Sequence, residues 1–179
     1  MLYASDGTHS SVSMPNMYFS QVGKDLQLIM EKLITNDNIA KLLYYGEKTA
    51  LTMPNLSADQ KLLMVNDYIR VVPILPKDVE AKNYIIIQFD NFSPSGIDPT
   101  TYKDFLLTFD IFCNGQNWIL DDYQLRPYAI MNEIDKLFNL SKLNSSGPIN
   151  FMGANSIIID ENLLGFSLVY KIYDYKWCY

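Results

Sequence analysis

Between Gly23 and about Tyr45 the apolar residues Leu26, Ile29, Met30, Leu33 and Ile34 recur at intervals of three and four, and Ile39, Leu42 and Leu43 resume the rhythm after the polar run Thr35-Asn36-Asp37-Asn38. This spacing predicts an amphipathic helix, a break and a short second helix. Asn36 or Asp37 can cap the second, because a short polar side chain satisfies the free amides of a first turn. Ser57 stands three residues before Gln60 ahead of an apolar run, the spacing of a capping box, and predicts a short helix near 58–66.

Further along, the period changes to two. Phe105, Leu107, Phe109, Ile111 and Cys113 alternate with Asp104, Leu106, Thr108, Asp110 and Phe112, as a half-buried strand requires. Tyr84 to Phe89 predicts another strand. Tyr68 to Leu75 is strand-like, but Pro73 and Pro76 remove ladder donors and assign it to an edge or a strand end. Asn91 to Thr101, with two prolines and a glycine, reads as a long loop, and long loops in compact domains are often functional. Asn114-Gly115 marks a turn. Asp121-Asp122 precede a helix that runs through Asn139 with Pro127 in its first turn and Tyr128, Met131, Ile134, Leu137 and Phe138 at helical spacing. A loop at Ser145-Ser146-Gly147-Pro148, a short strand at Ser156 to Ile159, a turn at 160–162 and a long strand from Leu164 to Tyr175 complete the order. In that last strand Phe166, Leu168, Tyr170 and Ile172 share one face. The expected class is α+β: a mainly antiparallel sheet of four to five strands with two principal helices packed on one face.

Residues 1–20 are rich in Ser and small polar residues and have no usable period, so they read as a flexible N-terminal arm. A single domain then spans 21–176, and 177–179 form a C-terminal tail. A length of 179 residues suits one domain, and 49% hydrophobic against 19% charged residues is enough apolar material for a packed core. A net charge of −6 with only two arginines, Arg70 and Arg126, disfavours gripping nucleic acid or an anionic membrane, but not a smooth wall past which DNA slides. Two cysteines cannot build a disulfide framework, which points to a reducing compartment. The first twenty residues have neither a basic n-region nor an apolar run, so no secretory signal is expected.

Little in the chain fits a catalytic role. The single histidine, His9, lies in the arm, which leaves nucleophile-base pairs without a neutral-pH partner. Cys113, at the end of a strand, reads as a small buried hydrophobe, and two cysteines with one histidine cannot make a zinc cluster. Asp121-Asp122 and Asp160-Glu161 are candidate carboxylate sites for a hard cation, with a helix-entry cap and a hairpin turn as the plainer readings. No phosphate-binding glycine pattern occurs, and Gly165 inside a strand points to a bulge or a close backbone approach. No catalytic residue, cofactor or metal is therefore expected. What remains is an aromatic surplus in the arm, the long loop and the C-terminus, where Tyr and Trp favour interfaces. Its candidate contact residues are Tyr18, Phe19, Phe92, Ile97, Asp98, Trp177 and Tyr179, with Tyr173 and Tyr175 nearby.

The helix QLRPYAIMNEIDKLFN, the Ser-Gly-Pro loop and the segment INFMGANSIIIDENLLGFSLVYKIYDY resemble the tail-terminator, or tail-completion, proteins of tailed bacteriophages, and the order of elements agrees across about 22–175. The resemblance implies a small, non-enzymatic virion subunit, assembled in the host cytoplasm and arranged in a sixfold homo-oligomeric ring. That ring would join the tail tube to neck and connector proteins around the DNA channel, without cofactor or membrane. The arm and the aromatic end YDYKWCY go beyond that pattern. A heterologous ring joins two different patches, so the loop at 91–101 is expected to meet an opposite sheet edge, and its deletion to leave a folded monomer. Rival readings are a stopper, adaptor, collar or tube subunit of the same particle or, from other classes, a small carboxylate-based enzyme or a cytosolic adaptor.

Overall fold

A computed structural model describes residues 19–71, 82–96, 102–144, 146–159 and 162–176. Among these, four α-helices accompany one sheet: α1 (Phe19–Thr35), α2 (Asp37–Tyr44), α3 (Ala58–Leu63) and α4 (Arg126–Phe138). The strands are β1 (Ile69–Arg70), β2 (Tyr84–Pro94), β3 (Tyr102–Asn114), β4 (Ile149–Ile158) and β5 (Leu163–Lys176), in the spatial order β1-β2-β3-β5-β4. All neighbours are antiparallel except β1 and β2. The α+β class with a mainly antiparallel sheet is thus as expected.

The caps explain the helix boundaries. Asn36 accepts the Ile39 amide at 3.0 Å and starts α2 immediately after α1. Ser57 and Gln60 form the reciprocal capping box at the head of α3. Phe19 and Ser20, expected in the arm, are instead the first residues of α1. Asp121 and Asp122 do not enter α4. The Asp122 carboxylate takes the Gln124 amide at 3.0 Å and closes a turn, while Leu125 caps α4 without a side-chain bond and Pro127 sits in its first turn.

Two strand expectations need correction. The loop from Asn91 to Thr101 is strand as far as Pro94, because a bulge between Asp90 and Ser93, with Asn91 at φ 53°, absorbs the irregularity before Ser93 pairs with Asp104 and Pro94 with Lys103. Deleting 91–101 would cut into the sheet, so it is not a clean test of assembly. β4 is ten residues long, beginning at Ile149 rather than Ser156. Its outer residues lack the alternation that sequence reading relies on, because as an edge strand it is mostly exposed.

The core lies between one face of the sheet and the helices. Ile29 and Leu33 of α1, Ile39, Leu42 and Leu43 of α2, and Ile130, Ile134 and Phe138 of α4 bury against Phe105, Leu107, Phe109 and Ile111 of β3 and Leu168, Tyr170 and Ile172 of β5. Each such side chain contributes roughly 1.5–3 kcal/mol of burial. The buried face of α4 runs through Pro127 and Ile130, not Tyr128, which is exposed and lies 5.2 Å from Phe166. At the centre of the sheet, a Cβ on Gly165 would stand 1.6 Å from the carbonyl oxygen of Ile111, so β3 and β5 approach there as only glycine permits.

Candidate functional site: the two edges of the sheet

Polar groups inside the fold are occupied by structure. Arg126 is fully buried, and its guanidinium donates to the carbonyls of Asn117 (2.7 Å), Leu42 (2.7 Å), Tyr45 (2.9 Å) and Glu47 (2.7 Å). Burial lowers its pKa from the ordinary value, but four carbonyl acceptors suit a cation at the open end of α2. Asn83 bridges the same place, donating to the Leu42 carbonyl at 3.1 Å and accepting the Asn114 amide at 3.2 Å. Asp25 of α1 is buried and accepts the Tyr175 hydroxyl of β5. Desolvation raises its carboxyl above the ordinary value, opposed by the bonds from Tyr175 and Gln21. Cys113 is buried and its thiol is pushed up to about 12 by desolvation, so it packs as a hydrophobe.

Among the described residues no group of three or more His, Cys, Asp or Glu could hold a metal ion. Asp121 and Asp122 lie in the turn before α4, and Asp160-Glu161 fall outside the described residues. On the sheet face away from the helices, the Asp110 carboxylate accepts Gln88 at 2.9 Å and Ser167 at 2.6 Å, which uses both of its oxygens.

Of the sequence-predicted contact residues, Tyr18, Ile97, Asp98, Trp177 and Tyr179 lie outside the described residues. Phe19 is the first residue of α1. Phe92, on the bulged end of β2, is 39% exposed and leans on Phe105 with ring centroids 4.9 Å apart. Tyr175, counted in the aromatic surplus of the C-terminus, is wholly buried against Phe105 and Asp25. Tyr173 is half-buried, with the Lys171 ammonium 4.5 Å from its ring centroid.

Exposed apolar side chains occur on α3 (Leu62 and Leu63), at the turns of Tyr123 and Leu140, and also at the two edges of the sheet. At one end β4 has β5 on one side and, among the described residues, no strand on the other. The stretch from Ile149 to Ile159, INFMGANSIII, contains no charge and no proline, and Phe151, Met152, Ile158 (72%) and Ile159 are exposed. Beside it a hollow of about 240 Å³ is lined by Met131, Asn132 and Asp135 of α4, Phe151 of β4 and Leu168 of β5. At the other end, among the described residues, β1 pairs with β2 at Ile85 and Ile86. From Ile87 onward the outer side of β2 adjoins a cleft of about 350 Å³ among the described residues, lined by Val22 and Leu26 of α1, Val71, Ile87, Gln88, Phe89 and Phe92. Sequence reading missed the β4 edge, although an eleven-residue stretch without charge or proline next to a strand was the available signal. It also missed Tyr123 and Leu140, exposed residues at turns with φ of 62° and 60°, for which the chain carries no signal.

These features define an α+β domain whose buried polar side chains hold the fold together and whose exposed apolar side chains include those at the ends of its sheet. The chain belongs to the YomW family, whose model matches residues 36–172, from the cap of α2 into β5. No curated protein and no solved structure matches it. No helix among the described residues is long and apolar enough to cross a membrane.

Proposed function

We propose that the chain is a structural subunit that joins copies of itself head to tail, and that the assembly is the tail-terminator ring of a phage particle. The observation that carries this reading is the pair of unlike apolar edges on one sheet, protruding side chains on β4 and a cleft beside β2. Unlike patches on opposite flanks generate rings when the rotation closes. A family of the phage-region type in Bacillus fits the setting. In this reading six copies surround the DNA channel between the tail tube and the neck, the protein resides in the virion after assembly in the host cytoplasm, and it has no enzymatic activity or cofactor. Its net charge of −6 would let DNA pass without being held. Another connector or tube subunit would share the same edges.

The test is the mass of the purified protein by light scattering over a concentration series, with and without residues 1–18. A discrete species of about six subunits, or a monomer converting to it as concentration rises, is expected. A strict monomer at every concentration, which also fails to bind purified tail tubes, would refute the reading.

A further inference from the structure

We infer that neighbouring copies join by continuing the sheet, with the outer side of β4 pairing along the outer side of β2 in the next copy, between Ile87 and Pro94. This rests on the self-assembly reading above and names the partner surface for it. Isolated proteins blunt an edge strand with charges, prolines or shortness. The start of β4 is blunted, by a bulge between Phe151 and Gly153 and by the 139–142 segment, which bonds the outward amide and carbonyl of Ile149 and the amide of Phe151. From Gly153 to Ile158 the strand carries no charge and no proline, and Ile158 is exposed. The open stretch from Gly153 to Ile158 spans roughly 20 Å.

The occupant follows from strand direction and face. Through the antiparallel pairs, β3 and β4 run one way and β2 and β5 the other. In a cyclic assembly every copy keeps its direction along the axis, so β4 meets the next β2 antiparallel and the alternation continues across the junction. The faces agree as well. Phe151, Ala154 and Ile158 pair with Tyr170, Leu168 and Leu164, which puts them on the helix side of the sheet. Ile87 and Phe89 pair with Phe109 and Leu107, on that same side, where α1 completes the cleft. Continuing the sheet therefore brings the apolar side chains of β4 under α1 of the next copy. A back-to-back pairing of two β4 strands would leave that cleft empty and stop at a dimer.

Single cysteines at exposed positions of each edge, Ser156→Cys and Ser93→Cys, made separately in a full-length Cys178→Ser background, test the pairing. The two proteins are treated alone and mixed with a bis-maleimide long enough to absorb a register error of one or two residues. The expected result is a linked pair only in the mixture, together with an Ala154→Lys variant of unchanged circular dichroism whose half-association concentration rises at least about tenfold. Linkage of Ser156→Cys chains to themselves would replace the inference with a β4 dimer. Assemblies that form without either link and ignore Ala154→Lys would overturn the inference and leave the self-assembly reading standing. A wild-type chain that never associates, alone or with tail tubes, would overturn both.

Discussion

Gly165→Ala offers a test of the close approach at the centre of the sheet. The added Cβ would meet the Ile111 carbonyl oxygen at 1.6 Å, its carbon at 2.7 Å and the Phe112 Cα at 3.1 Å, all of them backbone atoms. No rotamer change relieves such a clash, so β3 and β5 must separate where Phe112 faces Gly165 and Ile111 faces Phe166. Overpacking of a core costs roughly 1–3 kcal/mol. Opening the ladder there adds about two backbone hydrogen bonds at roughly 1 kcal/mol each. The expected loss is then about 3–5 kcal/mol, a large share of the roughly 5–15 kcal/mol that holds a domain of this kind folded. Urea unfolding followed by far-UV circular dichroism gives the loss from the midpoint at constant slope. Gly153→Ala on β4 is the control, since a Cβ there has nothing within 4 Å and should change stability little. A Gly165→Ala variant within about 1 kcal/mol of wild type would refute the argument that two strands meet there as only glycine permits.

Other predictions address buried polar groups and turns. Arg126→Met should cost at least about 4 kcal/mol by leaving four carbonyls short of a donor, and Arg126→Lys, which lacks the planar fork, should recover only part of it in the same urea assay. For Asp25, whose native pKa is raised above the ordinary 3.8, the folded state holds more protons than the unfolded state between those values. The contribution of this group to stability therefore falls as pH rises through that window. Asp25→Asn keeps an acceptor for Tyr175, so thermal melts should find it more stable than wild type at neutral pH, with the advantage fading as pH drops below 3.8. An advantage that grew on acidification would contradict the assignment. Leu140→Gly should raise the urea midpoint by the equivalent of about 1 kcal/mol, because Leu140 stands exposed at φ 60°, where a side chain is penalised.

Much of the layout was legible because the two periods are legible. The alternation from Phe105 to Cys113 marks the central strand, and Asn36, Ser57 and Pro127 announce three helix starts by chemistry that acts within four residues. What escaped was set by partners far along the chain. Asn91 to Pro94 has the composition of a loop and becomes strand because β3 supplies a ladder beside it. β4 is strand because β5 supplies its ladder, so its exposed residues carry no period. The role of Arg126 is invisible to local reading, since three of its four acceptors lie 79 to 84 residues earlier. Tyr175 looked like interface material at an aromatic terminus, but its hydroxyl belongs to a carboxylate 150 residues away. The edge site was half legible: Phe92 was found from its loop, whereas the cleft beside it needed α1 to form a wall.

The guanidinium of Arg126 also bears on the order in which the molecule forms. Its bonds to the end of α2 reward the chain only after a loop of about eighty residues has closed, and contacts of such separation come late on a folding route. Until then the end of α2 keeps unsatisfied carbonyls and α4 has no anchor for its first turn. The bond set works as a clasp fastened last, so loosening it should quicken unfolding far more than it slows folding. The lifetime of the folded subunit, more than the speed of its production, is what this one buried cation governs.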